Sequence, residues 1–313
     1  YDITLYAKWD ADKVNYTVEH LVEKLDGSYE LYDRQAFTSD TDSQVTPEVK
    51  HMEGFSSPET ETAIVKGDGS TVIRYFYKRN VHRFVLKLNN GQPDVEYDYK
   101  YGTKINIINP ERTGYTFTGW SGTGIDGTAM DPVITTGSTG NRSYTANWKE
   151  NSYVIRFIPY GDGTTGSMQD MQLMYTDKAA LSANQFKRTG YTFAGWTKKA
   201  GADKLYDDNE IISGLGTADN EIITLYPAWT ANEYTVHFDT KDGDAINDLV
   251  FTYDKKYELP KTSRYGYTFL GWCVEDGGTV TYKPGASADN LAGEGTVTLY
   301  ASWSLNKTFT YSH

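Results

Sequence analysis

The sequence predicts a tandem array of small, strand-dominated domains that share one plan. Three observations carry that expectation. A seven-residue motif recurs as GYTFTGW at 114–120, GYTFAGW at 190–196 and GYTFLGW at 266–272, and a fixed period of 76 residues indicates a repeat array. A five-residue segment of alternating polarity precedes each copy, the signature of a half-buried strand. A segment ending in tryptophan follows each copy and closes the frame.

Taken in order, each repeat opens on FVLKL (84–88), YVIRF (153–157) or YTVHF (234–238), whose first, third and fifth residues are apolar. Turn residues come next: NNG ending at Gly91, YGDG ending at Gly163 and KDG ending at Gly243. Asn-Gly and Asp-Gly supply the positive φ that tight hairpins require. A second strand is expected at VEYDY (95–99), MQLMY (171–175) and LVFTY (249–253). A short connection then leads to the motif. There a turn glycine precedes a strand whose Tyr115, Phe117 and Trp120 pack a small core, and Gly119 relieves a bend or bulge before Trp120. A variable Gly/Asp-rich stretch follows. The last strand is YTANW (144–148), LYPAW (225–229) or LYASW (299–303). Pro227 lacks an N–H, which suggests an edge strand or a bulge there. LYAKW at 5–9 reads as the same closing strand from a preceding repeat. All seven tryptophans are thereby placed, three in the motif and four in closing strands, so none is left for a separate aromatic site.

Residues 10–80 differ but start alike. NYTVEHL at 15–21 parallels NEYTVHF at 232–238, an Asp26-Gly27 turn follows, EGF at 53–55 stands in place of GYTF, and TVIRYFYKRN at 71–80 stands in place of the closing strand. The expected organisation is a closing strand at 1–9, a diverged unit at 10–80, repeats at 81–150, 151–230 and 231–304, and the start of a further unit or a tail at 305–313. Linkers of a few residues, without a Pro-rich or Gly/Ser-rich spacer, imply a semi-rigid, elongated array. A unit of about 70 residues buries only about 60% of its unfolded surface and is marginal alone. The 26 tyrosines, 12 phenylalanines and seven tryptophans answer that need, because large aromatics each bury about 150–250 Å².

Net charge is −12, which disfavours nucleic acid or an anionic membrane surface as partner, since phosphate contacts need clustered Lys and Arg. No apolar run approaches the ~20 residues of a membrane span. The chain begins mid-motif with YDITLYAKW and is expected to be a fragment of something longer. The single cysteine, Cys273, cannot make an internal disulfide. Either the protein is intracellular or its lineage stabilises secreted domains by packing alone. Cys273 has no basic neighbour in sequence to make a thiolate and reads as a small buried hydrophobe.

The pattern of a YTVxF strand, RTGYTFxGW and a closing xLYAxW resembles the internalin-type B repeat, also called the Listeria–Bacteroides repeat, of Gram-positive cell-surface proteins. Three units match over most of their length. Departures are mild: Thr145 stands for the usual Tyr, and Pro227 interrupts a closing strand. Residues 10–80 resemble the mucin-binding-protein-like repeats often found beside such units. The resemblance implies tandem β-grasp domains, ubiquitin-like in layout and so α+β but β-dominated, on an extracellular wall-anchored protein.

Candidate chemistry is sparse. Gly161, Gly163 and Gly166, and again Gly122, Gly124 and Gly127, spell G-x-G-x-x-G. A dinucleotide site also needs a helix opening at the third glycine and an acidic residue about 20 positions on, where Leu181 stands, so a hairpin turn is favoured. Asp242, Asp244, Asn247 and Asp248 could hold calcium, but Ile246 occupies the fifth loop position, and a solvated loop is favoured here and at Asp207, Asp208 and Glu210. The histidines His20, His51, His82, His237 and His313 show no metal spacing. His237 takes the polar slot held by Lys87 and Arg156 in sister repeats. Ser121 is an improbable nucleophile, because its counterparts are Thr197 and Cys273. No catalytic residue, cofactor or metal site is expected. The tryptophans are assigned to cores, since each unit must build its own. Tyr97, Tyr101 and Tyr206 stay open between packing and sugar binding. The expected function is a non-catalytic stalk of an adhesin at the bacterial surface, with a binding module for host glycoprotein or glycan as the alternative.

Overall fold

A computed structural model describes residues 1–307, so His313 and the rest of 308–313 lie outside the described residues. The chain divides into two compact units, Tyr1–Lys149 and Glu150–His313.

The first unit holds two four-stranded sheets. One runs, in spatial order, Tyr29–Asp40, Lys13–Glu23, Val72–Arg79 and Phe55–Ser56; the other runs Val95–Lys100, Val81–Lys87, Arg142–Glu150 and Tyr115–Gly122. The second unit repeats that order twice: Met171–Met174, Ser152–Phe157, Glu221–Ala231 and Tyr191–Thr197, then Leu249–Thr252, Glu233–Asp239, Thr296–Leu305 and Tyr267–Cys273. Every sheet therefore reads second strand, opening strand, closing strand, motif strand. The opening and closing strands are parallel in all four. The second strand is antiparallel to the opening strand in all four. Residues 10–80 share this order although their motif is reduced to EGF.

A parallel pair demands a crossover, which most folds supply with a helix. Here it carries the motif strand and a two-stranded ribbon. The ribbons pair Gln44–Val45 with Ala63–Ile64, Ile105–Asn106 with Val133–Ile134, Ala179–Ala180 with Ile211–Ile212, and Tyr257–Glu258 with Ser287–Ala288. The α+β composition expected from the resemblance does not form: the described residues contain no helix, and the fold is all-β. Two of the crossover segments carry a reason for this in their sequence. KINIINPERTG and YELPKTSRYG place Pro110 and Pro260 mid-segment and offer no apolar stripe at helical spacing.

Each sheet packs one face against its own ribbon and motif strand. In the repeat at 151–230 the alternate residues Tyr153, Ile155 and Phe157 meet Leu181, Ile212, Leu225 and Trp196. In the repeat at 231–304, Tyr234, Val236 and Phe238 meet Leu259, Ala288, Leu299 and Trp272. Phe84, Leu86 and Trp120 anchor the equivalent cluster in the repeat at 81–150, and Val18, Ile73, Tyr75 and Tyr77 in the residues before it.

Two local expectations are corrected. Residues 5–9 form no strand, and Leu5, Tyr6 and Trp9 are exposed. In the other closing strands stability comes from an opening strand on one side and a motif strand on the other, and no described strand flanks 5–9. Pro227 is buried in a central strand rather than an edge strand. The parallel pairing with Ser152–Phe157 ends at Leu225, so the strand has outrun that neighbour when Pro227 arrives. Opposite it, the motif strand carries the expected irregularity, between Phe193 and Gly195.

Candidate functional site

The motif builds three features in succession. The first is a tight turn. In RTGY at 188–191 the Tyr191 amide donates to the Arg188 carbonyl (3.2 Å) and Gly190 has φ 75°. Positive φ at the third position of such a turn is what glycine supplies. Gly114, Gly266 and Gly54 repeat it at 77°, 78° and 80°. The preceding arginine lies over the following tyrosine ring, with Arg112, Arg188 and Arg264 at 3.7, 3.6 and 4.2 Å from the ring centroids of Tyr115, Tyr191 and Tyr267.

The second feature is the glycine before tryptophan. The Trp196 amide donates to the Tyr206 carbonyl (2.8 Å), and Trp272 does the same to Tyr282 (2.8 Å) and Trp120 to Ala129 (2.7 Å). That bridge fastens the variable loop to the motif strand. A Cβ on Gly195 or Gly271 would collide with the carbonyl oxygen of Tyr206 or Tyr282, so only glycine allows the approach. Trp120, Trp196 and Trp272 are then fully buried. The closing-strand tryptophans Trp148, Trp229 and Trp303 are half-buried, each donating its indole N–H to the turn after the opening strand: to Leu88, Tyr160 and Thr240 carbonyls at 3.0, 2.8 and 3.0 Å.

The third feature is the junction between repeats. A single asparagine separates each closing strand from the next opening strand: Asn80, Asn151 and Asn232. The Asn232 amide donates to the Gly190 carbonyl (2.9 Å), its Oδ1 accepts from Thr192 Oγ1 (2.6 Å), and its Nδ2 donates to the Gly293 carbonyl (3.0 Å). Asn80 repeats the first two bonds with Gly54 and Ser56, both at 2.8 Å, and Asn306 repeats them with Gly266 (2.9 Å) and Thr268 (2.6 Å). The tyrosine after the second strand completes the joint. Tyr253 packs on Gly190, and Tyr101 packs on Gly54. Tyr191 donates its hydroxyl to Asp254 Oδ2 (2.5 Å); that bond, with one from Asn290 Nδ2 (2.7 Å), holds the Asp254 carboxyl below the usual carboxylate range and raises the Tyr191 phenol. Lys100 reaches back to Glu23 at 2.6 Å, and Arg79 Nη1 donates to the Tyr101 carbonyl (2.8 Å).

The residues singled out in the sequence do not converge. Gly161, Gly163 and Gly166, and Gly122, Gly124 and Gly127, all have positive φ, and no helix follows either set. The acidic loop is spent on separate partners: Asp242 pairs with Arg264 (3.2 Å), Asp244 accepts from Ser263, and Asp248 bonds His237 Nδ1 (2.7 Å). Asp207 pairs with Lys204 (2.5 Å), Glu210 accepts the Asp207 amide (2.7 Å), and Asp208 accepts the Asn184 amide (3.0 Å). Among the described residues no group of three or more His, Cys, Asp or Glu could hold a metal ion. His237 is exposed, as its slot implied, and Cys273 is buried with Sγ 3.3 Å from the Gly278 carbonyl. His82 Nε2 accepts the Gly140 amide (3.2 Å). Of the open tyrosines, Tyr97 lies beside Phe84 (4.8 Å between centroids), Tyr206 packs on the core of its repeat, and Tyr101 belongs to the junction. The junction asparagines were missed. Their signal was present, an asparagine recurring just before each opening strand, but it looks like ordinary linker until its bonds are seen.

The repeats are similar in sequence to known domains. Residues 153–226 and 234–302 match the model of the Listeria–Bacteroides repeat domain, and residues 87–152 match that of the divergent InlB B-repeat domain. Three consecutive segments thus match models of B-type repeats. Over 97% of its length the chain is 27% identical to a provisionally named membrane protein of Evansella cellulosilytica, covering 46% of that protein. Over 55% of its length it is 29% identical to Internalin H of Listeria monocytogenes, covering 32% of that protein. The chain therefore spans less than half the length of these relatives. No helix among the described residues is long and apolar enough to cross a membrane.

Proposed function

We propose that this chain is a non-catalytic repeat segment of a bacterial cell-surface protein, where it serves as a spacer that carries an adhesive domain lying elsewhere in the protein. The observation that carries the reading is the junction. Within each compact unit one asparagine, Asn80 or Asn232, joins two consecutive repeats, and its amide and side chain are tied into the turn made by the motif of the preceding repeat. A chain built to bind through each domain has no need of such a joint, whereas a spacer must fix the orientation of one domain on the next. The B-repeat matches and the Internalin H likeness support a surface location, with the wall attachment in regions outside this chain. The shared sheet order supports reading residues 10–80 as a diverged unit of the same architecture, between boundaries at 10, 81, 151, 231 and 304.

The purified chain, tested on arrays of host glycans and glycoproteins, separates this reading from a broad binding module. A spacer gives no tight retention on any class. Saturable retention in the micromolar range or tighter, lost on substituting exposed tyrosines in several repeats, would replace the spacer with a binding module.

A further inference from the structure

The three stacked arginines differ in what their guanidinium groups do. Arg112 Nη1 donates to the Asn89 carbonyl (2.9 Å). Arg264 Nη1 donates to the Lys241 carbonyl (3.0 Å) and its Nη2 pairs with Asp242 (3.2 Å). Arg188 donates only through Nε, to the Asp162 carbonyl (3.2 Å). Both of its Nη groups lack a protein acceptor among the described residues, and no carboxylate lies within ion-pair distance of it, although its charge reaches Asp254 beyond the Tyr191 ring. In a chain of net charge −12 that leaves a cation with open hydrogen-bond donors.

Arg188 borders a groove of about 500 Å³. Trp229 and Thr230 come from the stretch of closing strand that runs past its parallel neighbour, so no strand covers that side. Tyr160, 41% exposed, stands in the turn opposite, and Asp203 and Lys204 come from the variable loop. The corresponding corner of the repeat at 231–304 is bridged. There Lys241 spans from Asp239 (3.1 Å) to Asp276 (2.8 Å) above the Tyr300 ring.

We propose that this groove is a binding site for a carboxylate-bearing sugar. The two free Nη donors of Arg188 match a carboxylate bidentately, the geometry in which arginine is strongest. Its stacking on Tyr191 and its Nε bond hold the guanidinium in place before a ligand arrives. Tyr160 and the half-buried Trp229 offer aromatic surface to the sugar ring, while Thr230 and Asp203 offer hydroxyl partners. Two aromatic walls with hydroxyl-matching polar groups favour a pyranose over a peptide terminus. A site of this kind adds one weak contact to a spacer, and it stands or falls apart from the spacer reading, which concerns the junctions.

The test is an amide chemical-shift titration of the full chain with glucuronate, glucose and acetate as probes. Glucuronate should shift the amides of 160–163 and 228–230 saturably, at least about tenfold more tightly than glucose or acetate, because it alone engages both arginine and aromatic walls. Arg188→Gln should weaken glucuronate by about tenfold or more, and Arg264→Gln should leave it unchanged. If Arg188→Gln proves unfolded, Tyr160→Ala serves instead and should weaken glucuronate while leaving acetate unaffected. The proposal is overturned if glucuronate causes no saturable shift in the groove, if glucose equals it, or if acetate equals it, which would mark a plain carboxylate site.

Discussion

The ring of Tyr253 lies directly on the α-carbon of Gly190, so that a methyl group at that glycine would overlap the ring. The two residues belong to different repeats, and Asn232 sits between them, bonded to the Gly190 carbonyl by its amide and to the Tyr253 amide by its carbonyl. The glycine that a sequence reading assigns to a turn has a second duty, as the flat surface on which the next repeat docks. Tyr101 on Gly54, with Asn80 between them, is the same arrangement in the other compact unit.

Gly190→Ala should therefore cost more than the turn alone explains. Alanine at positive φ costs about 1 kcal/mol, and overpacking adds about 1–3 kcal/mol. Gly266→Ala is the control: the same turn, φ 78°, with nothing described within 4 Å of the added methyl. Chemical denaturation of the two variants should show Gly190→Ala as the clearly weaker protein. Equal losses would show that the Tyr253 contact contributes nothing.

Asn232→Ala removes the acceptor for Thr192 and the donor to the Gly293 carbonyl while leaving the backbone bond to Gly190 in place. Losing one exposed and one half-buried bond should cost about 1 kcal/mol. Nuclear relaxation on a chain of residues 150–313 should show the repeats at 151–230 and 231–304 tumbling as one body in the wild type and with added independent motion in the variant. Independent motion already present in the wild type would contradict the joint.

Acid sensitivity should reside in residues 10–80. His20 is buried between Tyr75 and Tyr77 (5.6 and 5.7 Å between centroids), with Nδ1 2.8 Å from the Tyr77 hydroxyl, which itself accepts the Lys50 amide (2.8 Å). Burial first, and then the Lys50 charge, push the imidazole below its ordinary value of 6.5, against an opposing pull from Asp33. A lowered pKa gives stability that is complete above that ordinary value and declines as pH falls from it through the folded-state pKa. Hydrogen-exchange protection of Lys13–Glu23 should fall between pH 7.5 and 5.5, and His20→Phe should abolish that fall. A pH-independent wild type would sink this reading.

Much of the fold was legible because its signals are local. The alternation in YVIRF and YTVHF marks the core face of each opening strand, and the fixed spacing of GYTFxGW reveals how many times the plan is used. Gly119, Gly195 and Gly271 were readable as bulge formers, and φ values of 120°, 145° and 133° agree. The crossover was not legible, since the resemblance suggested a helix where Pro110 and Pro260 favour a ribbon. The junction and the groove were not legible either. Each depends on residues far apart in sequence, such as Gly190 with Tyr253 or Arg188 with Trp229, and neither pairing leaves a period in the chain.

The most direct measurement is hydrogen exchange, read repeat by repeat, on Trp196→Ala. Trp196 is fully buried in the core of one repeat, and truncating a core aromatic costs roughly 3–5 kcal/mol. A unit of this size holds only about 7 kcal/mol at ~0.1 kcal/mol per residue. Protection should collapse through residues 151–230, while 231–304, with Trp272 in a core of its own, keeps its protection except around Tyr253 and Asp254, where the joint has lost its partner. Simultaneous collapse of 151–304 would show one cooperative domain in place of two repeats, and wild-type protection throughout would show that the motif tryptophan does not build the core.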